Sequence, residues 1–174
     1  MDDHGTDPAR LSAAFREAFR HHPSGVAVIA ADPGDGPAAL TVGSLISISA
    51  APPTVAFSLS DLSSASAAIL RAETMVVHFM RAENVALARL CATRGADRFT
   101  PATGWRRLPG GEPYFPEVRT RFRARRRESL TLRGATLVVA ELLSATHPQP
   151  DPAPEESSIV YLDRRWHGLR PLDG

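Results

Sequence analysis

Apolar positions fall into short runs whose period changes several times along the chain. In residues 9–21, Leu11, Phe15, Ala18 and Phe19 recur at helical spacing among Arg16, Glu17 and Arg20, which predicts an amphipathic helix ended by Pro23 and Gly25. Residues 26–31 form a β-branched and alanine run too short for a helix, and the turn cluster at 32–37 follows, so a strand and a hairpin loop are expected. Residues 40–49 alternate loosely, with Leu40, Val42, Ile46 and Ile48 apolar; beyond Pro52 and Pro53, Val55, Phe57 and Leu59 alternate cleanly with Ala56, Ser58 and Ser60. Two further strands are expected there, each with one small, polar face.

Residues 63–71 predict a short helix opened by serines suited to capping. Strand-like 75–80, a helix at 83–92 and a long Gly/Pro-containing connection at 93–112 with Trp105 come next. Two longer strands are expected at 115–126 and 130–144, a Pro- and acid-rich loop at 148–156, and a closing strand or hairpin from 159–162 and 166–169. Six or more strands with two or three short helices, without regular alternation, predict a mainly β fold: a β-barrel with helical additions rather than a doubly wound sheet. Residues 11–172 are expected to form a single domain behind a flexible N-terminus at 1–10.

Composition narrows the possible partners. Lys+Arg 20 against Asp+Glu 19 leaves a formal charge of +1, so no overall field draws in nucleic acid or an anionic membrane. All the basic residues are Arg, and Asn84 and Gln149 are the only side-chain amides, a bias typical of a high-GC bacterial genome. The single Cys91 and scattered histidines offer no metal-ligand spacing. The acidic start lacks the pattern of a signal peptide and no apolar window is long enough to span a membrane, so a cytoplasmic protein is expected.

The most suggestive chemistry is a set of hydroxyls at two strand ends: Thr41, Ser44, Ser47 and Ser49 on one, and Ser58, Ser60, Ser63, Ser64 and Ser66 on or after the other. Small hydroxylated residues let a ligand approach the backbone, and serines opening a helix sit beside free N–H groups that suit a phosphate. The same serines also suit ordinary caps and turns.

The order of segments resembles the flavin reductase-like family, the FMN-binding split barrels. His22-Pro23-Ser24-Gly25-Val26 is similar to the family's Phe-Pro-Thr-Gly-Val entry, and residues 39–49 are similar to its Gly-Leu-Thr-Val-Ser-Ser-Phe-Thr-Ser-Val-Ser strand. Pro52-Pro53, Ser63-Ser64-Ala65-Ser66, Ala86-Leu87-Ala88-Arg89, Ala96-Asp97-Arg98-Phe99 and the closing Tyr161 to His167 follow in the family's order, so the resemblance spans about 15–169. It implies a six-stranded antiparallel split barrel, a homodimer, and FMN or FAD as the flavin, reduced by NADH or NADPH. By position, Thr41, Val42, Gly43 and Ser44 would border the ring and ribityl chain, and Ser58, Ser60, Ser63, Ser64 and Ser66 the phosphate. Many relatives pass reduced flavin to a separate monooxygenase, which is the partner implied here.

There are also departures. Where many relatives carry Gly-Asp-His, with the His near the nicotinamide, this chain reads Arg133-Gly134-Ala135-Thr136. Leu62 stands where a basic residue often precedes the serines, Ala67 replaces a Trp, and His78 takes the place of an Asn. These differences leave open a second reading, a repurposed split barrel that binds flavin or another small molecule without reducing it. By its family position His78 is the candidate catalytic residue, set against a structural histidine within a strand. Arg119, Arg121, Arg123, Arg125 and Arg127 fall at every second position, which predicts one basic strand face, gripping the extra phosphate of NADPH or an acidic partner, or simply solvated.

Overall fold

Seven strands between Ala27 and Thr146 enter one antiparallel sheet, and a break between two of them closes it. The computed structural model describes residues 7–146, 158–170 and 172. Its first helix, α1 (Pro8–Arg20), is followed by β1 (Ala27–Ala31), β2 (Ala38–Val42), β3 (Ile46–Ala50) and β4 (Pro53–Ser60). Next come α2 (Ser64–Arg71), β5 (Thr74–Phe79), α3 (Val85–Ala92), β6 (Arg121–Leu132) and β7 (Ala135–Thr146), and the chain closes with the hairpin of β8 (Ile159–Leu162) and β9 (Arg165–Gly168). Residues 1–6 of the expected N-terminus and the expected loop at 148–156 lie outside the described residues.

The sheet order is β2-β1-β5-β6-β7-β4-β3, every pairing antiparallel. Its two edges, β2 and β3, are the halves of the single strand expected at 40–49, interrupted at Gly43, Ser44 and Leu45. Joining them gives a ring of six strands, the expected split barrel, with its split at that interruption. The remaining boundary differences are local. The strand expected from Phe115 begins only at Arg121, and Leu130 to Leu132 end β6 rather than opening β7, because a two-residue turn at Arg133 and Gly134 joins the pair. Gly134 takes φ +90° there, a conformation open to glycine.

Strand β1 is buried on both faces, which is why its sequence shows a continuous apolar run without alternation. Ala27, Ile29 and Ala31 join Phe57, Leu59, Ile69, Met75, Val77 and Val138 inside the barrel. Val28 and Ala30 face outward onto a second cluster with Leu87, Cys91, Phe115, Val118 and Ile159. Helix α2 thus plugs the interior through Ala65 and Ile69, while α3 covers the outside. Each fully buried side chain of this size contributes about 1.5–3 kcal/mol. Helix α1 buries nothing: Asp7 caps it, Phe15 stacks on Phe19 at 4.4 Å, and the Asp163 N–H holds the Arg20 carbonyl at 2.9 Å. Among the described residues no helix is long and apolar enough to cross a membrane.

Candidate functional site

The interruption between β2 and β3 opens a cavity of about 460 Å³, within the range of small-molecule sites. Thr41, Val42, Gly43, Ser44, Ser58, Ser60, Ser63, Ser64 and Ser66 all line it, as do Leu40, Leu62, Cys91, Ala92, Arg94 and Arg98. Every expected flavin-binding residue therefore reaches one space. A larger cleft of about 1020 Å³ lies between α1 and the β8–β9 turn and shares Gly43, Ser44 and Ser58 with the first.

Hydrogen bonds divide these residues into those that build the wall and those left for a ligand. The Thr41 hydroxyl donates to the Ala88 carbonyl (2.7 Å) and ties β2 to α3. Ser44 Oγ accepts from the Ser58 N–H (2.9 Å) and donates to the Ser58 carbonyl (3.3 Å), bridging the split to β4. Ser66 donates to the Ser60 carbonyl (2.8 Å), and Ser60 Oγ accepts from the Leu62 N–H (3.3 Å). Ser63 sits at the N-cap of α2 but its side chain makes no capping bond, and Ser64, the first helical residue, is exposed. The Ser66 N–H donates to the Ser63 carbonyl (3.1 Å), so the hydroxyls of Ser58, Ser63 and Ser64, with the N–H groups of Ser64 and Ala65, are the donors left unspent at this end of the cavity. That is a neutral, anion-compatible cradle at a helix N-terminus.

The cations here escape a reading based on motifs alone. Arg98 belongs to the Ala-Asp-Arg-Phe segment, but its guanidinium is committed to the carbonyls of Cys91 (3.3 Å), Ala96 (3.0 Å) and Thr93 (2.7 Å), closing the C-terminal end of α3. Arg94, just past the Thr93 C-cap, is exposed. Nothing in the sequence marks it apart from its charge. Burial pushes the Cys91 thiol up to about 12, so this cavity-lining sulfur stays protonated and unreactive.

His78 corrects an expectation. It is wholly buried in β5, with Nδ1 bonded to the Val28 carbonyl (3.1 Å) and Nε2 accepting from the Phe115 N–H (3.1 Å). Those partners fix a neutral ring, and burial, helped by the nearby Arg121 charge, lowers its pKa to about 4. Outside the cavity lining and satisfied at both nitrogens, it staples β1 to the 113–115 segment and touches no ligand space.

The basic stripe is likewise dismantled. Arg119 precedes the strand, and Arg121 is buried, donating to the Val118 carbonyl (2.6 Å) with its guanidinium 4.8 Å from the Tyr114 ring centre. Arg123, Arg125 and Arg127 pair with Glu112, Glu73 and Glu141. A bulge leaves Arg127 out of register, since Val139 pairs with Glu128 and Ala140 with Arg126. Carboxylates already neutralise this face, so it offers no grip for a 2′-phosphate. Arg123→Ala is expected to strand the buried Glu112 carboxylate and lower stability by about 3 kcal/mol in denaturant unfolding, with the preference between NADH and NADPH unchanged. A selective rise in KM for NADPH would restore the stripe as a binding face.

Ala135 opens β7 directly opposite Ser60 in the strand register, and it offers only a methyl group there. The described histidines elsewhere have local partners: His21 meets Glu17 (3.1 Å), His22 packs on Phe19, and His167 meets the Leu162 carbonyl (3.2 Å). Among the described residues no cluster suits a metal ion.

Comparison with known proteins agrees with this geometry. Residues 19–170 match the model of the flavin reductase like domain. An NADH:FMN oxidoreductase of Rhodococcus qingshengii is 30% identical over 158 residues, covering 91% of this chain and 82% of that protein. An NADH:riboflavin 5′-phosphate oxidoreductase of Streptomyces pristinaespiralis is 29% identical over 169 residues, 95% and 94% of the two chains. The crystal structure of a flavin reductase domain protein from Arthrobacter sp. FB24 superposes with a TM-score of 0.84 at 26% identity, covering 94% of this chain and 98% of that one.

Proposed function

The chain belongs to the flavin reductase-like family, and from that premise we propose how its own residues divide the work of an NAD(P)H-dependent flavin reductase. The observation that carries the reading is the convergence of all nine expected residues on one cavity of suitable size. The free donors at the α2 N-terminus fit a phosphate, and the small residues from Thr41 to Ser44 leave room for a flat ring beside the backbone. The redox chemistry, hydride transfer from a reduced nicotinamide to flavin, belongs to the bound cofactors.

The protein's share is binding and orientation. Ser63, Ser64 and Ser58 hold the phosphate end. The Ser44–Ser58 bridge keeps the split at a fixed width, and Leu40 and Val42 keep water from the inner wall. Among the described residues the cavity is lined by no carboxylate and no imidazole, so the reading assigns no side-chain acid or base. The larger cleft meets the cavity at Gly43, Ser44 and Ser58. FMN is the flavin favoured by the relatives' activity.

Two further assignments rest on the surface. Leu11, Phe15 and Phe19 are 57–59% exposed on one side of α1, and Ile46 and Ile48 on edge strand β3 are 55% and 54% exposed. Apolar surface of this extent calls for a cover, and a second copy of the chain supplies it in a homodimer. Leu62, 87% exposed at the cavity rim, leaves the flavin site open, which suits exchange of reduced flavin with a separate monooxygenase. Steady-state NADH oxidation tests the exchange: a rate that keeps rising with FMN well above the protein concentration is expected, whereas saturation at one FMN per chain would identify a fixed prosthetic group.

A further inference from the structure

We propose that Arg94 is the cation that reads the flavin's phosphate, and that Arg98 positions it. The proposal rests on the cavity being the flavin site. Among the described residues Arg94 and Arg98 are the only charged side chains in the lining; they follow the end of α3, whereas Ser58, Ser60, Ser63, Ser64 and Ser66 come from β4 and the start of α2. Arg98 is committed to backbone. Its bonds to the Thr93 and Ala96 carbonyls fall on either side of Arg94, and the bond to Cys91 anchors both to the end of α3. Thr93 fastens the same turn through its hydroxyl on the Arg89 carbonyl (2.8 Å).

The outcome is a short loop whose backbone is held at three points while one guanidinium stays uncommitted. Among the described residues Arg94 has no ion-pair or hydrogen-bond partner, unlike Arg71, Arg107, Arg123, Arg125 and Arg127, each of which faces a carboxylate. The hydroxyls and amides facing it are neutral donors, and they leave a bound phosphate dianion otherwise uncompensated. A guanidinium presented from a pre-braced loop meets that charge with little further ordering.

The test compares FMN with riboflavin, which has the same ring and ribityl chain but no phosphate. Binding is read by quenching of flavin fluorescence on the full chain. Arg94→Ala is expected to weaken FMN about tenfold to a hundredfold and to leave riboflavin within about twofold, with Arg94→Lys recovering most of the loss. Arg98→Ala is expected to weaken FMN in the same selective way, through the freed loop. Because Arg94 is exposed and unpartnered, the variant's circular dichroism should match the wild type. Equal weakening of both flavins, or no weakening of FMN, would overturn the proposal. Wild-type protein that binds neither flavin would overturn the site reading beneath it.

Discussion

Ser64→Asp is expected to lower FMN affinity by a hundredfold or more while slightly stabilising the protein. Ser64 is the first residue of α2 and lines the cavity beside the N–H groups available to a phosphate. A carboxylate there faces the phosphate dianion at about 4 Å, and like charges at that distance near a protein surface repel by roughly 4 kcal/mol. Helix α2 has no acidic residue in its first turn, so the same carboxylate complements the helix dipole by about 0.3–1 kcal/mol. Binding and stability therefore move in opposite directions, a pattern that misfolding does not produce. Riboflavin should be nearly unaffected. Unchanged FMN affinity in a fluorescence titration would remove the phosphate from this end of the cavity.

His78→Leu is expected to cost about 2–4 kcal/mol of stability, since it leaves the Val28 carbonyl and the Phe115 N–H buried without their partner. The turnover of the folded protein at neutral pH should stay close to wild type, because the ring lies outside the cavity. The pH dependence is equally specific. Folded His78 protonates only near pH 4 while the unfolded chain takes up that proton near 6.5, so between those values the unfolded state binds more protons. Stability is thus fully present above about pH 6.5, falls by about 3 kcal/mol on acidification to pH 4, and levels off below it. In the variant this contribution should vanish from the pH profile of chemical denaturation. A variant that keeps the wild-type slope, or loses turnover without losing stability, would return His78 to the chemistry.

Much of the barrel is legible in the sequence because strand periodicity and turn residues agree. The alternation of Val55, Phe57 and Leu59 with Ser58 and Ser60 already separates the core face from the cavity face of β4. The split at Gly43 to Leu45 is not legible, since Val42 and Ile46 stay in phase across it and only three-dimensional pairing sends the halves to opposite edges. Gly43 packs so closely that a Cβ would come within 2.6 Å of Ser24 Oγ, a contact from far along the chain. The nine expected cavity residues converge, yet which of their hydroxyls are spent on the wall depends on partners such as Ala88 that no local pattern names. The arginine stripe misleads for a similar reason. Period-two spacing predicts a shared face, but a bulge and carboxylates from the 112 loop, the α2–β5 connection and β7 decide what each guanidinium does.

The most direct test is anaerobic rapid mixing of the protein and FMN with NADH, and separately with NADPH, while the absorbance of oxidised flavin is followed. The split-barrel site predicts bleaching that depends on the protein, repeats over many equivalents of FMN and is slowed by Ser64→Asp. Bleaching no faster than in protein-free solution, despite bound FMN, would contradict it and leave a barrel that holds flavin without reducing it.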